Sequence, residues 1–543
     1  MLGPIILILP FVLVGSLPVD TSDYLRVRQE LIDRDEHMRV GANLVLSDKE
    51  KIVNDYFMKE KRSLIHGSRI NRTSFMPSTS FYHSRKLIEE TPLFKKIHQM
   101  PKGAALHLHD QSMVSLDWIV YNATYRDNVW MCLNHNGFLI FRVFNDSYQP
   151  KDCKWKSVAV ERKAAPNVTA FDLNIRNNLS MIASDPFLAF PYDQAAWLKF
   201  NRYFIQVGRL LYYVPIYRDM LWQTMEEFRA ANVQYMEIRG TFFNMYELNG
   251  IMHDAEFGVL LVKHVVGEFV KKYPDFVGVK VIQEGYRNKN VSDILEEIKI
   301  IMELHKSYPE VVAGYDMSGD EAVYNPLSYY SEALLYPSRQ DPPYKLPYFF
   351  HAGETPWQGT ETGYNIADAI LLNASRIGHG FALAKHPYFL ELVKQKDIAV
   401  EVLPISNQVL RLVSDFRNHP MAALMANNLS VVISSDDRTT WDAAPLSHDF
   451  YITFMSMSSE AADLTLLKQL AINSIKYSSL VSEKKNAALE VWQAKWDNFV
   501  GVTHATLTPT TTSVYSGSHK LSDNLSYVFL IHTCLISILY LRH

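Results

Sequence analysis

The chain has 543 residues, of which 48% are hydrophobic and 21% are charged, so it is long enough to bury a large core. Its 54 basic and 58 acidic residues give a net charge of −4 and form no long basic run, which excludes a typical nucleic-acid-binding protein. This length exceeds that of one small domain and favours one large domain with additional segments.

The N-terminus is typical of a secreted protein. Residues 1–16 contain a short apolar stretch that ends in Val14-Gly15-Ser16, with small residues at the expected cleavage site, and we predict a signal peptide. A buried N-terminal strand or helix is the alternative. Sequons of the form Asn-x-Ser/Thr support a secreted, extracellular glycoprotein; they lie at Asn71, Asn122, Asn145, Asn167, Asn178, Asn290, Asn373, Asn428 and Asn524.

The segment that follows is rich in charged residues with helical periodicity. We therefore predict an N-terminal helical region over residues 17–100. From residue 101 to residue 500, eight short apolar runs recur, most of them followed by an amphipathic stretch. The runs span 103–109, 233–240, 277–284, 311–317, 347–353, 375–380, 398–404 and 430–436.

Eight strand–helix units predict a (β/α)8 barrel, an α/β fold of the TIM type with a parallel inner sheet. An open, doubly wound sheet is the competing architecture. It would bind ligands at one switch point, so it would not explain polar residues at the ends of so many strands.

The interval between the first and second runs is the longest. We predict an inserted subdomain over residues 127–185, followed by a helix from about Gln194 to Asn232. Cys132 and Cys153 lie in this polar, loop-like region and could pair in an oxidising compartment.

The C-terminal end resembles a lipid-anchor signal. Residues 501–526 form a Ser/Thr-rich stalk with small residues at Ser516-Gly517-Ser518, and residues 527–543 form an apolar tail. We predict membrane attachment through a C-terminal lipid anchor, with a lone apolar helix as the alternative. The remaining cysteine, Cys534, lies in this tail.

Side chains suited to metal binding stand at the ends of the predicted strands. His107 and His109 in "GAALHLHD" are two positions apart, so both point to one face of an extended strand. A single histidine at a strand end is more often a hydrogen-bonded core residue, and paired aspartates often cap a helix. An active site better explains why six such side chains converge at one end of the predicted barrel: His107, His109, His351, His379, Asp436 and Asp437.

Three imidazoles and one carboxylate suit a single zinc ion with a position left open for water. A water molecule whose pKa is lowered towards about 7 becomes a hydroxide nucleophile at neutral pH. Glu354 could protonate a substrate nitrogen as general acid, His379 could orient or deprotonate the water, and Asp437 could accept a hydrogen bond from substrate. The predicted zinc ligands are His107, His109, His351 and Asp436.

The segments "HLHD", "HAGET", "RIGHG", "SSDD" and "DMSGDE" together resemble the adenosine deaminase family of metal-dependent amidohydrolases. "MPKGAALHLHD", "YFFHAGET", "ISNQVLRLVSDFRNHP" and "LKQLAINSIKYSSL" are similar to its secreted branch, the adenosine deaminase-related growth factors (adenosine deaminase 2-like). The resemblance implies hydrolysis of adenosine, and of 2′-deoxyadenosine, to inosine and ammonia through attack of zinc-bound hydroxide at C6. It also implies one zinc ion per subunit and an additional growth-factor-like signalling role.

The resemblance further implies individual roles. Glu354 would protonate purine N1, and His379 would act on the zinc-bound water. It implies a Cys132–Cys153 disulfide, a homodimer formed by the N-terminal helices, and a cell-surface receptor or glycan as a further partner. The predicted substrate-binding residues are Asp437, Gly319, Trp197, Tyr286 and Asp110.

Two positions depart from the family pattern. Arg438 follows the paired aspartates where the family usually has proline, which predicts an altered loop after the last strand. Tyr286 in "EGYRNK" stands where similar members of the family place a histidine, which predicts a changed affinity or nucleoside preference.

Two other functions remain as alternatives. A binuclear amidohydrolase acting on amides or phosphoesters would need a bridging carboxylated lysine on the fourth strand, and "VVAGYDMSGDE" contains no lysine. A glycosylated extracellular signalling protein could use the barrel only as a scaffold. The presence of every predicted catalytic residue disfavours signalling as the sole function.

Overall fold

The computed structural model describes residues 20–70, 75–147 and 150–508. The predicted signal peptide, the apolar tail, residues 509–526 of the predicted stalk, and the sequons at Asn71 and Asn524 lie outside these ranges. Within the described residues, none of the helices combines the length and apolar character needed to cross a bilayer.

Strands in the described part of the chain form one barrel and one small separate sheet. They are β1 (Gly103–His109), β2 (Val129–Leu133), β3 (Leu139–Val143), β4 (Lys156–Ser157), β5 (Val233–Gly240), β6 (Gly278–Tyr286), β7 (Val312–Ser318), β8 (His351–Ala352), β9 (Arg376–His379), β10 (Ala399–Val402) and β11 (Val431–Ile433). Each of the eight predicted runs overlaps one of the barrel strands, and β6 and β7 extend one or two residues beyond their runs.

The barrel consists of two four-stranded parallel arcs, ordered β1-β5-β6-β7 and β8-β9-β10-β11. Parallel bridges between Tyr315 and Tyr348, and between Leu108 and Asp436, join the arcs at both seams. The predicted (β/α)8 fold is confirmed. Every residue of β1, β5 and β7 is buried, as expected for parallel strands that are covered on both faces.

Helices connect and surround the strands. They are α1 (Thr21–His37), α2 (Asp48–Ile70), α3 (Phe81–Glu90), α4 (Pro92–Gln99), α5 (Leu116–Tyr121), α6 (Val158–Ala164), α7 (Val168–Leu179), α8 (Pro186–Ala189), α9 (Asp193–Leu211), α10 (Val214–Ala230), α11 (Ala255–Lys272), α12 (Val291–Ser307), α13 (Ser331–Leu334), α14 (Asn365–Leu371), α15 (Pro387–Gln395), α16 (Pro404–Val409), α17 (Pro420–Ala426), α18 (Arg438–Trp441), α19 (Ser447–Ser456), α20 (Leu464–Lys476) and α21 (Ser482–Leu507).

The barrel helices form where apolar residues recur with helical spacing and a polar residue caps the start. In α12, Ile294, Ile298 and Ile301 lie on one face and are buried against the barrel. At α11, the Asp254 side chain accepts a hydrogen bond from the Phe257 backbone at 2.9 Å and satisfies a free N–H of the first turn.

The single helix predicted from Gln194 to Asn232 is wrong. The structure has two helices, α9 and α10, separated at Tyr212 and Tyr213. The break places Pro215 in the first turn of α10, where its missing N–H removes no helical hydrogen bond. In an uninterrupted helix the same proline would clash with the preceding turn.

The predicted insertion, 127–185, contains a small antiparallel sheet ordered β3-β2-β4 together with α6 and α7. Cys132 on β2 is bonded to Cys153, which confirms the implied disulfide. The bond adjoins a separate small core that contains Phe144 and Trp155. The insertion is thus held by its own covalent and apolar contacts.

Helices also mark the two ends of the described chain. In the predicted N-terminal region, α1 buries none of its side chains, whereas α2 buries Val53, Phe57 and Met58. At the other end, α21 continues to Leu507, so the stalk boundary predicted at 501 falls inside this helix. The helix extends because Val500 and Thr503 remain buried along its packed face.

Candidate active site

The predicted metal-binding side chains meet at the C-terminal mouth of the barrel. His107 and His109 end β1, His351 begins β8, His379 ends β9, and Asp436 follows β11. The ring centroid of His107 lies 4.6 Å from that of His351, 5.4 Å from that of His109 and 5.2 Å from that of His379. The structure therefore brings together residues separated by more than three hundred positions.

Two of these residues have an unusual backbone. His379 has φ 60° and Asp436 has φ 53°, in the left-handed region that residues other than glycine seldom adopt. A hydrogen bond of 3.1 Å from the Asp436 N–H to the His107 carbonyl stabilises this conformation. Such strain persists where the surrounding structure enforces it, and here it accompanies side chains that converge on one point.

Each of the three predicted histidine ligands has a carboxylate at its Nδ1 atom. This arrangement fixes the ring and leaves Nε2 available for a cation, as is usual for metal-binding histidines. The Nδ1–carboxylate distances are 2.6 Å for His107–Glu401, 3.1 Å for His109–Glu284 and 2.6 Å for His351–Asp316.

The remaining ligand atoms face one another. Asp436 Oδ1 lies 3.6 Å from His107 Nε2 and 3.3 Å from His109 Nε2. Ligand atoms of His107, His109 and Asp436 lie within 4.8 Å of one another, as do those of His107, His351 and His379. His107 Nε2 is buried without a hydrogen-bond partner, and burial lowers the pKa of His107, which favours the neutral, metal-binding imidazole. This donor set fits one zinc ion.

His379 differs from the three predicted ligands. Its Nδ1 lies 3.1 Å from the side-chain nitrogen of Asn407 and 3.5 Å from Oε1 of Glu354, the predicted proton donor. Asn407 is itself held by His419 through a contact of 2.9 Å. His379 Nε2 lies 3.6 Å from Asp436 Oδ2, at the edge of the proposed metal position. This placement suits a group that orients a water molecule.

A network of buried charges lies beneath the histidines. Glu401 accepts hydrogen bonds from Arg376 Nε at 2.6 Å and from Arg239 Nη2 at 2.7 Å, while it also contacts His107. Arg239 Nε donates in turn to Asp316 at 2.6 Å. All four charged side chains are fully buried. These four residues were not predicted from the sequence, although charged residues inside otherwise apolar strands were the available signal.

Glu354 is positioned by a second carboxylate, Glu321. The backbone N–H groups of Gly353 and Glu354 donate to Glu321 at 3.0 Å, and Asn365 Nδ2 donates to it at 2.7 Å. Burial, followed by the charges of Asp436 and Glu321, raises the pKa of Glu354 well above its usual range. A protonated carboxyl can serve as a proton donor. Glu321 lies in the quoted "DMSGDE" motif, but no pattern in the motif indicates this role.

One cavity unites the predicted catalytic and substrate-binding residues. The lining includes His109, Asp110, Trp197, Tyr286, Gly319, His351, Glu354, His379, Asp436 and Asp437. His107 does not line the cavity, but its ring packs against that of His351, which does. Seven further lining residues were not predicted from the sequence: Gln111, Phe200, Asn201, Phe204, Glu284, Ser318 and Leu410. Phe200, Asn201 and Phe204 follow Trp197 at spacings of three, four and seven residues on α9. That helical spacing would have identified them.

Two glycines in and beside this cavity stand where a side chain would come too close to a neighbouring residue. Gly319 has φ +113°, and a Cβ there would lie 3.1 Å from the Tyr324 ring. A Cβ on Gly240 would lie 2.5 Å from Asp110 Oδ2, so the absence of a side chain at Gly240 leaves room for the Asp110 carboxyl group. Burial, followed by the charge of Glu284, raises the pKa of Asp110 to about 7, and the Tyr212 hydroxyl donates to it at 3.1 Å.

Arg438, the departure from the family pattern, joins the last strand to two other segments. Its Nη1 donates to the Met113 carbonyl at 2.7 Å and to Glu227 at 2.9 Å. Glu227 also accepts a hydrogen bond of 3.0 Å from the Ser115 N–H. Arg438 thereby holds the loop after β11 against α10 and the turn after β1.

Replacing Arg438 by methionine should lower the free energy of unfolding by about 2 kcal/mol, because the partly buried Glu227 carboxylate loses its charged donor. Urea unfolding of the zinc-loaded protein measures this change. Arg417→Met is the control, because Arg417 pairs with Asp415 at the surface and should contribute less than about 1 kcal/mol. Equal stabilities of the two variants would contradict the assigned role.

Comparison with known families gives two matches. The family profile described as "Adenosine deaminase" matches residues 177–494, and the profile "Adenosine/AMP deaminase N-terminal" matches residues 8–97. The first match alone spans more than half of the chain and includes Glu354, His379 and Asp436.

Individual relatives agree with these matches. The chain is 43% identical to human (Homo sapiens) adenosine deaminase 2 over 475 residues, which cover 87% of this chain and 92% of the relative. It is 40% identical to adenosine deaminase of Phlebotomus duboscqi, with 89% and 92% covered. The arabidopsis N6-mAMP deaminase structure shares the fold, with a TM-score of 0.52 and 18% identity over 74% of this chain and 99% of that one.

Proposed function

Because this chain belongs to the adenosine deaminase family, we propose that it is an extracellular, zinc-dependent enzyme that hydrolyses adenosine, and 2′-deoxyadenosine, to inosine and ammonia. The observation that carries this proposal is the convergence of three carboxylate-anchored histidines, Asp436 and the buried Glu354 in one cavity. Metal ligands and a proton donor are the groups that hydrolytic deamination requires.

Zinc held by His107, His109, His351 and Asp436 would act as a Lewis acid and make a water molecule nucleophilic near neutral pH. The protonated Glu354 carboxyl donates its proton to purine N1, which makes C6 more electrophilic. His379 orients the water from the edge of the site, and Asp437 accepts a hydrogen bond from the base. Trp197 and Phe200, packed with ring centroids 5.4 Å apart, form an aromatic wall that excludes bulk water from the base.

The decisive experiment follows the ultraviolet absorbance change of adenosine deamination by the purified protein. Activity should disappear after dialysis against a chelator and return with zinc, while metal analysis gives one zinc ion per chain. A zinc-loaded protein that leaves adenosine unchanged would overturn the proposed activity. Two metal ions per chain would instead favour the binuclear amidohydrolase.

Trp197→Ala should raise KM for adenosine by about 5- to 150-fold, which corresponds to about 1–3 kcal/mol of base stacking, and leave kcat within about threefold. Trp197 lines the cavity and is 8% exposed. Steady-state kinetics measure both parameters. The neighbouring Leu198 is 72% exposed on the same helix, so Leu198→Ala is the matched control and should change neither.

An extracellular location is supported by the disulfide of the insertion and by exposed sequon asparagines. The exposed asparagines are Asn122, Asn145, Asn167, Asn290, Asn373 and Asn428. A mobility shift of the secreted protein on treatment with an N-glycosidase tests this part of the proposal. Release of the protein from cells by a phospholipase that cleaves lipid anchors tests the role of residues 527–543.

The proposal includes a homodimer formed through the N-terminal helices. Helix α1 buries none of its side chains, and Tyr24, Leu25 and Leu31 are more than half exposed. Sedimentation of a Leu25→Asp, Leu31→Asp variant tests this, since a dimer held by α1 should dissociate. A growth-factor-like signal through a receptor or glycan is tested separately in cells, where a catalytically inactive Glu354→Gln protein should retain it.

A further inference from the structure

A second cavity opens at the N-terminal end of the barrel, opposite the candidate active site. Lys280 and Ala313 lie in the first residues of β6 and β7, while Phe349 and Ser375 precede β8 and β9. The connection from α20 to α21 completes the wall. We call this space, lined by Lys280, Lys476, Lys485, Ser375, Ser478 and Phe349 among others, the basal cavity.

Three lysines and no carboxylate residue line the basal cavity. Lys476 forms an ion pair with Asp397 at 3.2 Å, outside the cavity. Lys280 Nζ donates only to the Ser479 carbonyl, at 3.2 Å, and Lys485 forms no ion pair with any residue in the described ranges. Two ammonium groups therefore share one concavity without forming an ion pair to any residue in the described ranges.

The buried Glu237 carboxylate offsets the charges of Lys280 and Lys485 only in part, since its attraction raises the pKa values of both lysines by less than burial lowers them. Glu237 accepts a hydrogen bond of 2.6 Å from Arg376 and a second bond from the Ser479 N–H, so it is committed to the charge network beneath the active site. Burial is the main reason why the pKa values of Lys280 and Lys485 are lowered. An anion in the cavity would relieve this unfavourable desolvation.

Other groups in the wall can donate to an anion. Leu480 and Lys485 flank the first turn of α21, a 26-residue helix whose initial N–H groups have no partner within the helix. The hydroxyl of Ser375 lies in the same wall. His305 is neutral there, because burial lowers its pKa to about 4, and its Nδ1 contacts the Tyr344 hydroxyl at 2.6 Å.

We propose that the basal cavity binds a tetrahedral oxyanion, either free phosphate or the phosphate group of a small monoester. Phosphate carries a charge of about −1.5 to −2 at neutral pH and has three or more acceptor oxygens, which match two lysines that form no ion pair in the described ranges and donors from several directions. This site lies at the end of the barrel away from the proposed zinc site and does not depend on the proposed deaminase function.

The test is equilibrium dialysis of radiolabelled inorganic phosphate with the zinc-loaded full-length protein, at constant ionic strength in chloride. Saturable binding is expected, with a Kd that rises about tenfold or more in Lys485→Gln and in Lys280→Met, since each loses a charged donor. Lys484→Gln is the matched control, because Lys484 is exposed and does not line the cavity. Its Kd should remain within about threefold of that of the unmodified protein.

Competition distinguishes the two sources of the anion. Glycerol 3-phosphate that displaces phosphate with a similar Kd supports a monoester ligand, and displacement by sulfate but not by the monoester supports a free ion. Absence of saturable binding at millimolar phosphate overturns the proposal, as does binding that both lysine variants retain unchanged. If Lys280→Met fails to fold, Lys485→Gln on the half-exposed first turn of α21 decides alone.

Discussion

Glu354→Gln should lower kcat for adenosine by about 10²- to 10⁴-fold, the usual contribution of a general acid, while zinc content and substrate binding remain unchanged. The amide keeps the size of the side chain and its backbone hydrogen bonds to Glu321, but it cannot deliver the proton that N1 requires. Steady-state kinetics, metal analysis and substrate titration of the same preparation separate these effects.

The matched control is Glu361→Gln, because Glu361 is an exposed carboxylate in the segment that follows the same strand. It should leave kcat within about twofold. A Glu354→Gln protein with nearly full kcat would show that protonation of the substrate comes from elsewhere, and the proposed mechanism would fail even if the family assignment stands.

Glu401→Gln should lower the free energy of unfolding by about 3–5 kcal/mol, because Arg239 and Arg376 would remain buried with too little negative charge. Zinc affinity should also fall by about 10- to 100-fold, since His107 loses the carboxylate that orients its ring. Urea unfolding at fixed free zinc and competition with a chromophoric chelator measure the two quantities.

Glu490→Gln, an exposed carboxylate on α21, is the control for the loss of one negative charge and should change stability by less than about 0.5 kcal/mol. If the Glu401 variant retained both its stability and its zinc affinity, the buried network would be dispensable for the site above it.

The barrel was predictable because each strand is a local signal, a short apolar run bounded by polar residues. The same holds for His107 and His109, whose spacing on one strand gives a common direction. Glu401 could not be assigned in this way. It contacts His107 across 294 positions of sequence, and its role depends on strand neighbours that a single sequence does not reveal.

Two features of the structure, the break between α9 and α10 and the contacts of Arg438, were not predicted from the sequence, for different reasons. The break between α9 and α10 was readable, because Pro215 is compatible with a first helical turn and not with a helix interior. Arg438 was visible only as a departure from a pattern. Its partners Met113 and Glu227 lie on separate segments, so its contribution to the loop after β11 required the folded structure.

The seam at which Leu108 meets Asp436 also has a consequence for biosynthesis. The first and last barrel strands contribute neighbouring ligands, so a growing polypeptide has no complete cation site until residue 436 has left the ribosome. Chains that stop earlier lack Asp436 and the strand that completes the ring. The full set of predicted ligands therefore forms only when the whole barrel has been synthesised.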